Sequence, residues 1–152
     1  MTRSFLLLLS LFIAFSSCKK TVNTTSQAAT DNTLILTYLA DNQITATKDP
    51  SGLYYEIINP GTGPNPTTSS TITVTYTGSL INGGVFAPTA NLTAQLSTLI
   101  QGWQIGIPHI AAGGTILLLV PSVLGYGSST NNANIPANSV LIFSITLQSF
   151  TN

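Results

Sequence analysis

The sequence predicts an α+β domain in which one short helix lies on a face of an antiparallel sheet, with a second, separate helix before it. Three observations predict this. Thr71-Ile72-Thr73-Val74-Thr75-Tyr76-Thr77-Gly78 alternates β-branched or aromatic residues with polar ones, as a half-buried strand does. Val140 to Phe150 alternates again, with Leu141, Phe143, Ile145 and Leu147 on one face. Between them, Trp103, Ile107 and Ile110 fall at helical spacing within Ile100 to Ile110, where Pro108 limits the helix's regularity.

The remaining elements follow in chain order. Met1-Thr2-Arg3 is a short positive start, and Phe5 to Phe15 is an apolar run of 11 residues, right for a signal peptide and too short to span a bilayer. Phe15-Ser16-Ser17-Cys18 puts small residues directly before the chain's single cysteine, which looks like a bacterial lipoprotein signal. Residues 1–17 are therefore expected to be a lipoprotein signal peptide. The Cys18 thiol is expected to be acylated and to hold the protein to a lipid bilayer at about 0.8 kcal/mol per buried methylene. Residues 18–30 read as a polar tether of Thr, Ser, Asn, Gln and Ala. Leu34, Ile35, Tyr38 and Leu39 share a helix face, and Asp31 is a candidate N-cap, so a helix is expected at about 31–41 within a helical extension over residues 31–49.

The main domain is expected over residues 50–152. Leu53 to Ile58 is its first strand, and Asn59 to Pro66 is a Pro/Gly-rich loop. Asn82-Gly83-Gly84 is a hairpin turn into Val85-Phe86, after which Pro88 to Thr93 reads as a loop. Ala111-Ala112-Gly113-Gly114 stops the helix. Thr115 to Val120 is a buried strand, and Leu124 to Pro136 a long Gly/Ser/Asn loop whose length alone points to function or mobility.

Charge decides what chemistry is open to this domain. From Ile57 to Asn152 there is no Lys, Arg, Asp or Glu, and the only imidazole is His109. That removes a carboxylate pair for glycoside hydrolysis, a His/Cys/Asp metal cluster and a Ser-His-Asp triad. No basic footprint for nucleic acid is present either. With 43% hydrophobic residues the chain can still build a core, although only 5% of its residues are charged. An enzyme of this composition must catalyse a reaction that needs no proton transfer. Rotation about the peptide bond before proline is one such reaction.

The ordered motifs resemble those of the FKBP-type peptidyl-prolyl cis–trans isomerases. The segments are Gly52-Leu53-Tyr54-Tyr55, Val74-Thr75-Tyr76-Thr77-Gly78, Gly84-Val85-Phe86, Leu99-Ile100-Gln101-Gly102-Trp103, Gly113-Gly114, Gly125-Tyr126-Gly127, Ile135-Pro136-Ala137-Asn138-Ser139 and Leu141-Ile142-Phe143. They come in the family's order over residues 52–150, and the helical segment before them looks like the extension of some bacterial envelope members. The resemblance implies an FKBP-like fold, a twisted antiparallel sheet wrapped over one short helix, with an aromatic pocket between them. By motif, Tyr76, Phe86, Leu99, Ile100, Trp103, Tyr126, Ile135 and Phe143 would line that pocket. Trp103 would be the floor under a proline ring, with Phe86 and Phe143 as walls. The Ile100 N–H and the Tyr126 hydroxyl would bind substrate carbonyls. Partners would be proline-containing, unfolded or nascent polypeptides of the bacterial cell envelope, with no cofactor, metal or nucleic acid.

Two positions depart from the family's pattern. Phe86 is followed by Ala87 where the family usually has aspartate, and Ala94 stands where an aromatic wall residue is common. Both changes imply weaker activity, and they leave open a second function: a non-catalytic module or chaperone holding unfolded envelope proteins. His109, near the end of the helix, is expected to be structural or exposed rather than part of the pocket.

Overall fold

A computed structural model describes residues 24–129 and 134–152, with side chains from residue 26 onward. The expected signal peptide, Cys18 and the first part of the tether lie outside the described residues, as does the tip of the 124–136 loop. The elements are α1 (Thr24–Asp41), β1 (Thr47–Lys48), β2 (Tyr54–Asn59), β3 (Thr71–Leu80), β4 (Val85–Gln95), α2 (Gln101–Gly106), β5 (Thr115–Val120) and β6 (Leu141–Thr151). The six strands form one sheet in the order β1-β2-β5-β6-β3-β4, antiparallel throughout.

Strands β3 and β6 alternate as expected. Ile72 and Val74 are fully buried, as are Leu141, Ile145 and Leu147, with Phe143 nearly so. The turn at 82–84 forms, with Gly83 at φ +91° and the Leu80 N–H donating to Gly84 O at 2.7 Å. The strand after it is much longer than expected, because residues 88–93 are not a loop. Strand β4 lies at the sheet edge, where Pro88 can sit without breaking a ladder on both sides.

Helix α2 continues as a 3-10 turn over Ile107–His109, and together they cover one face of the sheet. Two glycines let α2 approach β5. A Cβ on Gly102 would come within 2.6 Å of Val120 Cγ1, and one on Gly106 within 2.5 Å of Leu118 Cδ2. Trp103, between them, is thereby pressed into the core beside Leu118, Val120 and Phe143.

The other face is covered by α1. Ile35 and Leu39 are buried there against Tyr54, Leu119 and Val140. Strand β5 is thus buried on both sides, which explains its unbroken apolar run. Helix α1 departs from expectation in three ways. It starts at Thr24, so residues 24–30 are helical rather than tether. Thr30 and Thr33 direct their hydroxyls to the carbonyls of Ser26 and Ala29 four residues back, which satisfies these polar side chains inside the helix. Asp31 is not an N-cap. It lies mid-helix and is completely buried, in line with Ile35 and Leu39, while Leu34 is exposed.

Candidate active site

Between α2, the inner faces of β3, β4 and β6, and the segment after β5 lies a cavity of about 310 Å³. Its lining contains all eight residues that the motifs nominated: Tyr76, Phe86, Leu99, Ile100, Trp103, Tyr126, Ile135 and Phe143. They come from three strands, helix α2 and loops, separated by up to 67 positions in sequence (143 minus 76), and only the fold brings them together.

The rings are locked edge to face. Trp103 meets Tyr76 at 5.0 Å and 82° and Phe143 at 5.2 Å and 89°, while Phe86 meets Phe143 at 5.6 Å and 77°. Each such pair adds about 0.5–1.5 kcal/mol beyond simple burial, so the floor and walls are rigid. Phe86 is the unpaired residue of a β-bulge: Gly78 opposes Ala87 and Ser79 opposes Val85, leaving Phe86 between them. Its ring lies over Gly78, where a Cβ would come within 2.6 Å of Phe86 Cζ. That glycine is required for the wall.

The polar groups are few. Ile100 immediately precedes α2, and among the described residues no group accepts its N–H. The turn presenting it is pinned by Gln104, whose side-chain amide donates to Leu99 O at 2.7 Å and Ser97 O at 3.2 Å. Burial pushes the Tyr126 phenol above its ordinary value of 10.0, with the neighbouring Tyr76 adding to the shift. Tyr126 is therefore a neutral donor at any physiological pH. Because the folded protein favours the protonated phenol, the stability this contributes is fully present below pH 10.0 and lost as pH rises through the raised folded value. Alkaline unfolding of wild type and Tyr126→Phe should check this: the wild type should lose stability above about pH 10 more steeply than the variant.

Motif reading missed three neighbours. Leu92 and Thr98 line the cavity, and Gln104 supports it. Ala94 needs correction. It pairs with Ile72 further down β4 and lies outside the cavity lining, while Leu92, opposite Val74, supplies the wall. The alternation of Leu92 with exposed neighbours could have revealed it, had residues 88–93 been read as strand. Ala87 does line the cavity, so no carboxylate stands at that rim. His109 lies elsewhere, stacked on Tyr55 at 4.3 Å and 11°. Among the described residues no group of three or more His, Cys, Asp or Glu could hold a metal ion.

A cavity of aromatic rings with a free N–H and a neutral phenol can seat an apolar ring and hold a carbonyl. Among the described residues its lining has no carboxylate or imidazole to accept a proton at neutral pH.

Residues 63–148 match the family model described as FKBP-type peptidyl-prolyl cis-trans isomerase, and the chain belongs to that family. It is 44% identical over 102 residues to the Outer membrane protein MIP of Legionella longbeachae, covering 64% of this chain and 44% of that protein. It is 46% identical over 110 residues to the FKBP-type isomerase FkpA of Buchnera aphidicola subsp. Schizaphis graminum, covering 69% of this chain and 43% of that one. The chain thus spans less than half the length of these relatives. Among solved structures, FkpA from Escherichia coli superposes with TM-score 0.68 at 29% identity, over 84% of this chain and 62% of that one. A Pseudomonas syringae isomerase superposes with TM-score 0.72 over 85% of this chain and 96% of that one; at 24% identity, it bears on the fold alone.

Proposed function

We propose that this chain is a peptidyl-prolyl cis–trans isomerase acting on proline-containing polypeptides of the bacterial cell envelope, through its aromatic cavity and without acid–base groups. The observation that carries the reading is the convergence of the eight nominated residues on one cavity floored by Trp103. A proline ring on that floor, walled by Phe86 and Phe143, would place the preceding peptide bond among apolar surfaces. The planar amide is more polar than the twisted one, so a dry pocket disfavours the ground state relative to the transition state. The Ile100 N–H and Tyr126 hydroxyl would hold carbonyls on either side while the bond rotates. The barrier is about 18–20 kcal/mol and comes from amide resonance, so no proton need move.

Location is part of the proposal. The signal-like start, the cysteine at position 18 and a relative named as an outer membrane protein support a lipid-anchored envelope protein. Among the described residues no helix is long and apolar enough to cross a membrane, so attachment would fall to the acylated Cys18.

The test is prolyl exchange in a short Ala-Leu-Pro-Phe peptide, followed by NMR with the whole chain in detergent. Acceleration is expected, falling about ten-fold in Tyr126→Phe for one lost hydrogen bond and further in Phe86→Ala. A folded chain without acceleration would sink the isomerase reading. The second reading, a non-catalytic holder of unfolded polypeptides, is favoured by Ala87 at the rim. It would then be tested by the fluorescence of the chain's single tryptophan on adding an unfolded, proline-rich protein.

A further inference from the structure

Asp31 is the one fully buried carboxylate among the described residues, and the proposed reaction does not use it. Its Oδ2 accepts from the Ser122 N–H at 2.8 Å and from the Ser122 hydroxyl at 2.6 Å, and its Oδ1 accepts from the Gln27 side chain at 2.8 Å. Ser122 is 2% exposed. A buried carboxylate is costly unless it is fully hydrogen-bonded, so this geometry fixes Ser122 firmly relative to α1.

Ser122 in turn organises the residues that face the cavity. Its carbonyl accepts from the N–H of Gly125 at 3.0 Å and of Gly127 at 2.8 Å, the two neighbours of Tyr126. Gly127 O then accepts from the Asn138 N–H at 2.7 Å, tying in the segment that carries Ile135. A continuous line of hydrogen bonds runs from α1, on the outer face of the sheet, to the segments that carry Tyr126 and Ile135.

We propose that Asp31 is a positioning residue for the isomerase site, acting through Ser122 to hold the Tyr126 hydroxyl at the distance the substrate carbonyl requires. This rests on the reading of Tyr126 given above. A displaced hydroxyl forfeits its hydrogen bond in the transition state, although every residue of the cavity is still present.

The test uses the whole chain in detergent, with Asp31→Ala, Ser122→Ala, Leu39→Ala, Tyr126→Phe and the Asp31→Ala/Tyr126→Phe double variant. Leu39 packs α1 on the sheet eight positions beyond Asp31, so its variant controls for loosened docking. Asp31→Ala is expected to shift the Gly125 and Gly127 amide resonances and to lower catalysed exchange about ten-fold. Ser122→Ala, which keeps the backbone bond, should move both in the same direction by less, and it serves if Asp31→Ala does not fold. Leu39→Ala should leave both unchanged. In the Tyr126→Phe background, Asp31→Ala should cause no further loss, because the hydroxyl it positions is gone. An equal loss with and without that hydroxyl, or unmoved Gly125 and Gly127 resonances, would overturn the proposal. An undiminished rate in Tyr126→Phe would also defeat it. That failure belongs to the Tyr126 reading and is recognised by the same resonances still responding to Asp31→Ala.

Discussion

Replacing Trp103 with alanine is expected to cost about 3 kcal/mol of folding stability, and catalysed prolyl exchange is expected to vanish with it. The residue is 4% exposed and makes edge-to-face contacts with both Tyr76 and Phe143. Truncating a core tryptophan typically costs about 3–5 kcal/mol. One effect opposes this. Among the described residues the buried indole Nε1 has no hydrogen-bond partner, and removing an unsatisfied donor returns part of a penalty of about 1–3 kcal/mol. The net should therefore fall at the low end of the truncation range, still a large share of a typical stability of about 5–15 kcal/mol. Urea unfolding checks the first part through a lower midpoint at unchanged slope. Trp103→Phe separates the two effects. It should recover much of the stability but little of the rate, since a smaller ring leaves the proline unsupported. A Trp103→Ala variant with wild-type exchange would rule out the floor assignment.

Gly78→Ala is expected to remove the Phe86 wall with a single methyl group. The new Cβ would lie 2.6 Å from Phe86 Cζ and 3.2 Å from Phe143 Cε1, so the Phe86 ring must swing away. Overpacking of this kind costs about 1–3 kcal/mol. The sheet itself should survive, because Gly78 keeps its pairing with Phe143 on β6 and Ala87 on β4. The diagnostic comparison is the double variant with Phe86→Ala. Removing the ring makes room for the methyl, so the double variant should be less destabilised than the sum of the singles. Strict additivity would mean that the strain lies in the backbone of the bulge and not in the ring.

Much of the fold was legible where burial is one-sided and regular. Strand β3, and β6 from Phe143 onward, alternate because one face meets the core, and the α2 region showed its apolar spacing despite Pro108. Strand β4 was not legible. It lies at the edge, its exposed positions carry Thr, Asn and Gln, and Pro88 and Ala90 imitate a loop. The beginning of α1 was hidden by the Ser and Thr residues that usually favour turns, and its register is fixed by tertiary contacts of Asp31 and Ile35 rather than by propensity. In the site, large aromatics in a motif context announced themselves, whereas Leu92, Thr98 and Gln104 carry no chemical signature of a pocket. Asp31 was visible only as a possible cap, since nothing local reveals a partner 91 positions away.

The burial of β5 on both faces has a consequence for what counts as a folding unit here. The stretch matched by the family model begins at residue 63, well after α1. Without α1, however, Tyr54, Leu119 and Val140 would lose their cover, and an apolar patch would open on the back of the sheet. An exposed patch of this kind invites self-association. The helix is thus a lid on the chain's own adhesiveness, sealing the back of the sheet opposite the aromatic cavity.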